Sequence, residues 1–132
     1  MAEADALAML KIARRDLQAA QAMLDTAVFH EAVWGFQLQQ ALEKAFKAWL
    51  YVLDQQPPFT HDLVALLKLL ERVGVDISGY RELARFTDFA VQIRYDEHPD
   101  LQGLDRSVWN DRAAALVLVV EAMLSPGSVR ER

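Results

Sequence analysis

The stretch from Trp34 to Leu53 carries one glycine, Gly35, and no proline, and its apolar residues recur at helical spacing. At about 100° per residue, Trp34, Leu38, Ala41, Leu42, Ala45, Phe46, Trp49 and Leu53 gather on one side, while Gln40, Glu43, Lys44 and Lys47 gather opposite. This pattern predicts a helix from about His30 to Asp54, stopped before Pro57-Pro58, whose rings cannot continue it. A helix with so broad an apolar side is stable only when other elements cover that side. The polar side has two readings. Glu43 and Lys47 form a solvated i,i+4 pair, which contributes about 0.2–0.5 kcal/mol, or they line a groove with Gln40 and Lys44.

The rest of the chain supplies helical partners. From about Glu3 to Asp25, Leu10, Ala13, Leu17, Ala20 and Leu24 recur at spacings of three and four. Thr60 is placed to cap a third helix, with Asp62 in its first turn and Leu63, Leu66, Leu67 and Leu70 as its stripe, and Gly74 is a natural stop. Tyr80 to about Tyr95 reads as helix with Leu83, Phe86, Ala90 and Ile93 on one side, ended by Pro99. The last helix, about Asp105 to Leu124, is apolar round most of its circumference over 113–120. It either sits centrally or turns one face to a second copy of the chain, and a homodimer is expected.

Composition agrees. A chain of 132 residues, 53% hydrophobic, suits one ordinary core, and its five Gly and four Pro leave little material for a turn-rich β architecture. The expectation is an all-α bundle: one domain over 1–125 and a frayed tail over 126–132. Without cysteine there is no disulfide or thiol chemistry, which fits a reducing cytoplasm. Glu3 and Asp5 stand where a secretory leader would be basic, and the apolar run at 113–120 is far short of the roughly 20 residues a membrane span needs, so no membrane partner is expected. A net charge of −5 argues against non-specific coating of nucleic acid, but leaves room for a small, locally basic RNA site.

Chemistry-bearing residues are sparse. No Gly-rich phosphate loop or metal-ligand spacing appears, so neither metal nor cofactor is expected. Of three histidines, His30 reads as a local hydrogen-bonding residue at a helix entry, and His61 as a packed or hydrogen-bonded residue at a helix terminus. His98 has different company. Arg94, Tyr95, Asp96, Glu97 and His98 put a permanent cation, a phenol, two carboxylates and an imidazole within five residues. That mixture suits proton transfer and stabilisation of a phosphorane-like anion, as metal-free RNA cleavage needs. The bland alternative is an Arg94 that pairs with a carboxylate of another helix while its stem covers core atoms.

Gln37-x-x-Gln40-Ala41-x-Glu43-Lys44-x-x-Lys47-Ala48, then Thr60-His61-Asp62-Leu63, then Arg94-Tyr95, resembles the HEPN domain family over about residues 5 to 124. The resemblance implies an up-and-down bundle of four to five helices that dimerises and is paired with a small MNT-type nucleotidyltransferase. In many such pairs the HEPN protein is an RNase toxin and its partner the antitoxin. The family's RNase signature is an Arg and a His separated by four to six residues. Arg94 matches the Arg, but His98 follows after only three residues, one short of the pattern. Tyr95 is the local candidate for AMPylation by the partner, though it stands three residues before His98 where the family's modified Tyr stands two before.

Two functions follow. In the first, the chain is a metal-independent endoribonuclease toxin: Arg94 holds the scissile phosphate, His98 acts as acid or base, and Asp96 or Glu97 orients it. In the second it is a non-catalytic subunit whose Gln40, Glu43, Lys44 and Lys47 face engages the nucleotidyltransferase or a nucleotide. An orphan structural dimer is a third possibility. The joint presence of Arg94 and His98 favours the toxin.

Overall fold

The computed structural model describes residues 2–91 and 103–124. Its elements are α1 (Ala2–Gln21), α2 (Glu31–Val52), α3 (Leu63–Arg72), a 3-10 helix (Arg81–Phe86), α4 (Thr87–Val91) and α5 (Arg106–Leu124). There is no strand among the described residues, so the expected all-α class holds. The stretch Arg94 to His98, the end of the expected fourth helix and the tail lie outside the described residues.

The central element is α2, which packs against α1, α3, the 3-10 helix, α4 and α5. Burial follows: Trp34, Leu38, Ala41, Leu42, Ala45, Phe46, Ala48 and Leu50 are fully buried. The central place open to the last helix is therefore taken by α2 instead. α5 packs on α1 and α2 through Ala113, Leu116, Val117 and Val120, and leaves Leu118 and Val119 outside. The indole N–H of Trp34, deep in the core, must find an acceptor. It donates to Asn110 Oδ1 at 2.9 Å, and Asn110 in turn donates to the Ala20 carbonyl at 3.3 Å.

Helix ends explain where the observed boundaries depart from those expected. α1 stops at Gln21, short of Asp25, and Leu24 is half exposed. Two side chains of α5 take carbonyls at this end: Asn110 binds Ala20, and Arg106 binds Met23 at 2.8 Å. Such partners satisfy the acceptors a terminating helix leaves open. At the end of α3, Gly74 has φ of 100° and its N–H donates to Glu71 O, while Val75 donates to Leu70 O. This is a Schellman stop, which needs the left-handed conformation that glycine adopts freely. The N-cap of α3 is Asp62, not Thr60. Asp62 accepts from Val64 N–H at 2.9 Å, and Thr60 Oγ1 accepts from Asp62 N–H at 3.0 Å.

The fourth helix begins as 3-10 rather than α. Its buried residues are Leu83 and Phe86, continued by Phe89 in α4, a spacing of three throughout. In α4 it is Phe89 that is buried on the core side, while Ala90 is only partly covered. There Phe86 stacks on Phe89 at 5.6 Å and meets the edges of Trp34 and Trp109 at 5.6 and 5.5 Å.

Candidate functional site

The polar side of α2 is covered by the chain that leads into α3. Gln39, fully buried, donates through Nε2 to the His61 carbonyl at 2.9 Å and so ties that chain down across the helix. Beneath it the Glu43 side chain is only 2% exposed and receives four donors. Its Oε1 meets His61 Nδ1 at 2.9 Å and Gln39 Nε2 at 3.1 Å. Its Oε2 meets Lys47 Nζ at 2.9 Å and Lys44 Nζ at 3.5 Å. Gln40 closes the network: its Nε2 donates to Gln39 Oε1, and its Oε1 accepts from Lys44 at 3.0 Å. Gln40, Glu43, Lys44 and Lys47 are thus brought together. The solvated i,i+4 pair is corrected, because Glu43 and Lys47 are both buried and Glu43 takes three further donors beside Lys47.

Burial opposes ionisation of Glu43, but the hydrogen bonds from His61 and Lys47, the charge of Lys44 and the bond from Gln39 outweigh it. The carboxyl is held below the usual carboxylate range. An ionised carboxylate can only accept, so His61 Nδ1 carries the hydrogen in this bond. In the neutral ring the lone pair then lies on Nε2. The His61 side chain is 67% exposed, so an imidazole open to solvent is fixed from behind by a buried carboxylate. Within this cluster two ammonium groups stand against one carboxylate, which leaves one net positive charge with His61 neutral.

The profile of the HEPN domain family matches residues 6–124, most of the chain. The chain belongs to the HEPN family. No curated protein and no solved structure matches it. The network on α2 therefore belongs to a HEPN helical bundle.

The other expected site residues of this HEPN chain fall elsewhere. Arg94, Tyr95, Asp96, Glu97 and His98 lie outside the described residues. The chain runs towards them from α4, whose first residue, Thr87, accepts from Leu63 N–H at 3.0 Å, two residues beyond His61. His30 is the N-cap of α2, with Nδ1 accepting from Ala32 N–H at 2.9 Å, as its place at a helix entry suggested. Sequence reasoning passed over Gln39, although its spacing of four from Glu43 was a usable signal. It also passed over Arg106, which is buried, donates to the Met23 and Phe29 carbonyls at 2.8 Å each and lies 5.5 Å from the Trp34 ring centre. Among the described residues no three His, Asp or Glu side chains are grouped to hold a metal ion. No helix among them is long and apolar enough to cross a membrane.

Proposed function

We propose that this HEPN chain is the toxin of a HEPN/MNT toxin–antitoxin pair, a metal-independent endoribonuclease of the cytoplasm, neutralised by a nucleotidyltransferase antitoxin. The observation that supports it best is the α2 cluster. Two lysine ammonium groups on the buried Glu43 and an exposed, carboxylate-backed imidazole meet where α3 begins, on a chain of net charge −5. This is a local setting for a phosphate in a molecule that otherwise repels polyanions. In this reading Arg94 holds the scissile phosphate, His98 transfers a proton, Asp96 or Glu97 orients it, and AMPylation of Tyr95 by the partner silences the site. Two copies form the active protein, joined through the apolar residues left outside on α5.

The test is cleavage of single-stranded RNA in the presence of chelator, with growth inhibition scored beside it. His98→Ala is expected to lower cleavage by about 10²–10⁴-fold, the range typical of a lost proton-transfer group, and Arg94→Ala by about 10²–10³-fold, as loss of a donor to the reacting phosphate does, with helical content unchanged. Parental cleavage in both variants would show that Arg94 and His98 are not the site. A second reading, a non-catalytic nucleotide-binding subunit of a nucleotidyltransferase complex, is favoured by the four donors from α2 and His61 that engage Glu43 among the described residues. A parent protein that binds the nucleotidyltransferase and nucleotide but leaves RNA intact would establish it in place of the toxin.

A further inference from the structure

The ring of Phe59 stands wholly in water, 107% exposed, on the loop that carries His61 across α2. Val28, the next most exposed large apolar side chain among the described residues, is 67% exposed. The loop around Phe59 is fixed at both ends. Gln55 N–H donates to Leu50 O at 2.8 Å, and Pro57 and Pro58 lock their own φ. After the ring, Thr60 Oγ1 accepts from Asp62 N–H at 3.0 Å, and Gln39 holds the His61 carbonyl at 2.9 Å. Phe59 is thus held outward by an anchored backbone. Apolar surface left in water gives the fold nothing, so the ring is available to something outside it.

The surroundings of the ring select that occupant. Its neighbours Gln55, Gln56, Thr60, His61 and Asp62 are polar, so Phe59 is not part of the contiguous apolar patch on which a protein interface builds its core. One flat apolar face among hydrogen-bonding groups fits a nucleobase, which stacks on a single ring and bonds through its edges. Two residues on, the imidazole of His61 is a second flat ring, 67% exposed and held through Nδ1 by Glu43 at 2.9 Å. On the other oxygen of the same carboxylate, the Lys44 ammonium spends two of its three N–H groups on Gln40 and Glu43, which leaves one for a phosphate oxygen. The Asp62 carboxylate is taken up by the Val64 N–H at 2.9 Å.

We infer that Phe59 is a base-stacking residue of the α2 site, with the His61 ring beside it and Lys44 on the adjoining phosphate. The inference rests on RNA being the ligand, as in the ribonuclease reading above, and it gives that site a preference for single strands. A base within a duplex has both faces covered by its neighbours and cannot take up the ring. The ring contributes affinity and leaves the chemical step alone.

The experiment compares the full-length parent with Phe59→Ala, Phe59→Leu and Phe59→Trp. Affinity is measured on a single-stranded 2′-O-methyl RNA, whose blocked 2′-oxygen cannot attack phosphorus, and on the same sequence carrying abasic nucleotides. Phe59→Ala is expected to weaken binding by about 5–150-fold, the loss that one stacked base represents. Phe59→Leu, apolar but not flat, should fail to restore it, and Phe59→Trp should restore it in full. On the abasic strand parent and Phe59→Ala should bind alike. On cleavable RNA the KM of Phe59→Ala should rise with kcat unchanged. Parental affinity in Phe59→Ala, or full affinity in Phe59→Leu, would overturn the stacking role and leave the ribonuclease standing. The same holds if Phe59→Ala loses only the nucleotidyltransferase or the dimer, which would give the ring to a protein. A parent that binds no RNA overturns the inference, whereas one that binds through Phe59 without cleaving overturns the ribonuclease alone.

Discussion

Four donors converge on the Glu43 carboxylate, and the balance among them decides how the residue behaves when any one is removed. A buried, fully bonded ion pair contributes little net stability beside a well-packed apolar pair, because desolvation offsets the attraction. Removing one side is different. Glu43→Ala leaves the nearly buried Lys47 ammonium with no counter-charge, and a loss of about 3–5 kcal/mol is expected. Urea unfolding checks this, and a loss below about 1 kcal/mol would mean that water reaches Lys47 freely. The pH dependence has a definite sign. Glu43 titrates lower in the folded chain than its ordinary value of 4.5, so the unfolded chain binds more protons below that value. The stabilisation from Glu43 is complete above pH 4.5 and is lost as pH falls through its depressed folded value. Asp76, held low mainly by the backbone and side chain of Ser78, shares the acid window but is fully exposed. Glu43→Gln should therefore remove the part of the acid slope that Glu43 contributes. An unchanged slope would assign the linkage to other carboxyls.

At the scale of elements, α2 and α4 approach closely at Gly35. A Cβ added at Gly35 would lie 2.5 Å from three ring atoms of Phe89, so the glycine is there to admit the ring. Gly35→Ala improves helix propensity by about 1 kcal/mol but forces Phe89 and α4 away from the Trp34 and Phe86 cluster. Overpacking of this kind typically costs about 1–3 kcal/mol, so net destabilisation with reddened, less protected tryptophan fluorescence is expected. A variant more stable than the parent would show that α4 shifts without cost. The sequence carried the five helices, the Gly74 stop and the α2 core stripe because each depends on local period or local conformation. It did not carry the burial of Glu43 and Lys47, because a polar helix side reads the same whether water or a crossing chain covers it. The 3-10 turn was hidden for a related reason: Phe86 lies on the core side under either period, and only the tertiary partners of Phe89 choose between them. His61 read as a residue at a helix terminus, which it is, but its carboxylate partner lies 18 residues away and no local pattern joins them.

At the scale of the whole molecule, α2 takes the centre and α5 the flank, and this changes what the apolar run of α5 means. A central helix would use all its apolar sides within one copy; α5 leaves Leu118 62% exposed and Val119 37% exposed. Leu118 lines a groove between α1 and α5 that also presents Leu7, itself 48% exposed, and the groove is bridged by Arg14 and Glu121 at 2.7 Å. An exposed ion pair contributes little, so the apolar side chains are what a second copy would cover. Leu118→Glu places a charge on that face without touching the core of the single copy, where an exposed substitution changes stability by about 0.5 kcal/mol or less. In a dimer joined there, the two carboxylates would be desolvated or forced apart. Sedimentation should show the parent as a dimer and Leu118→Glu as a folded monomer with unchanged helical content. A variant that stays dimeric moves the interface to another face, and a monomeric parent removes the dimer from the proposed function altogether.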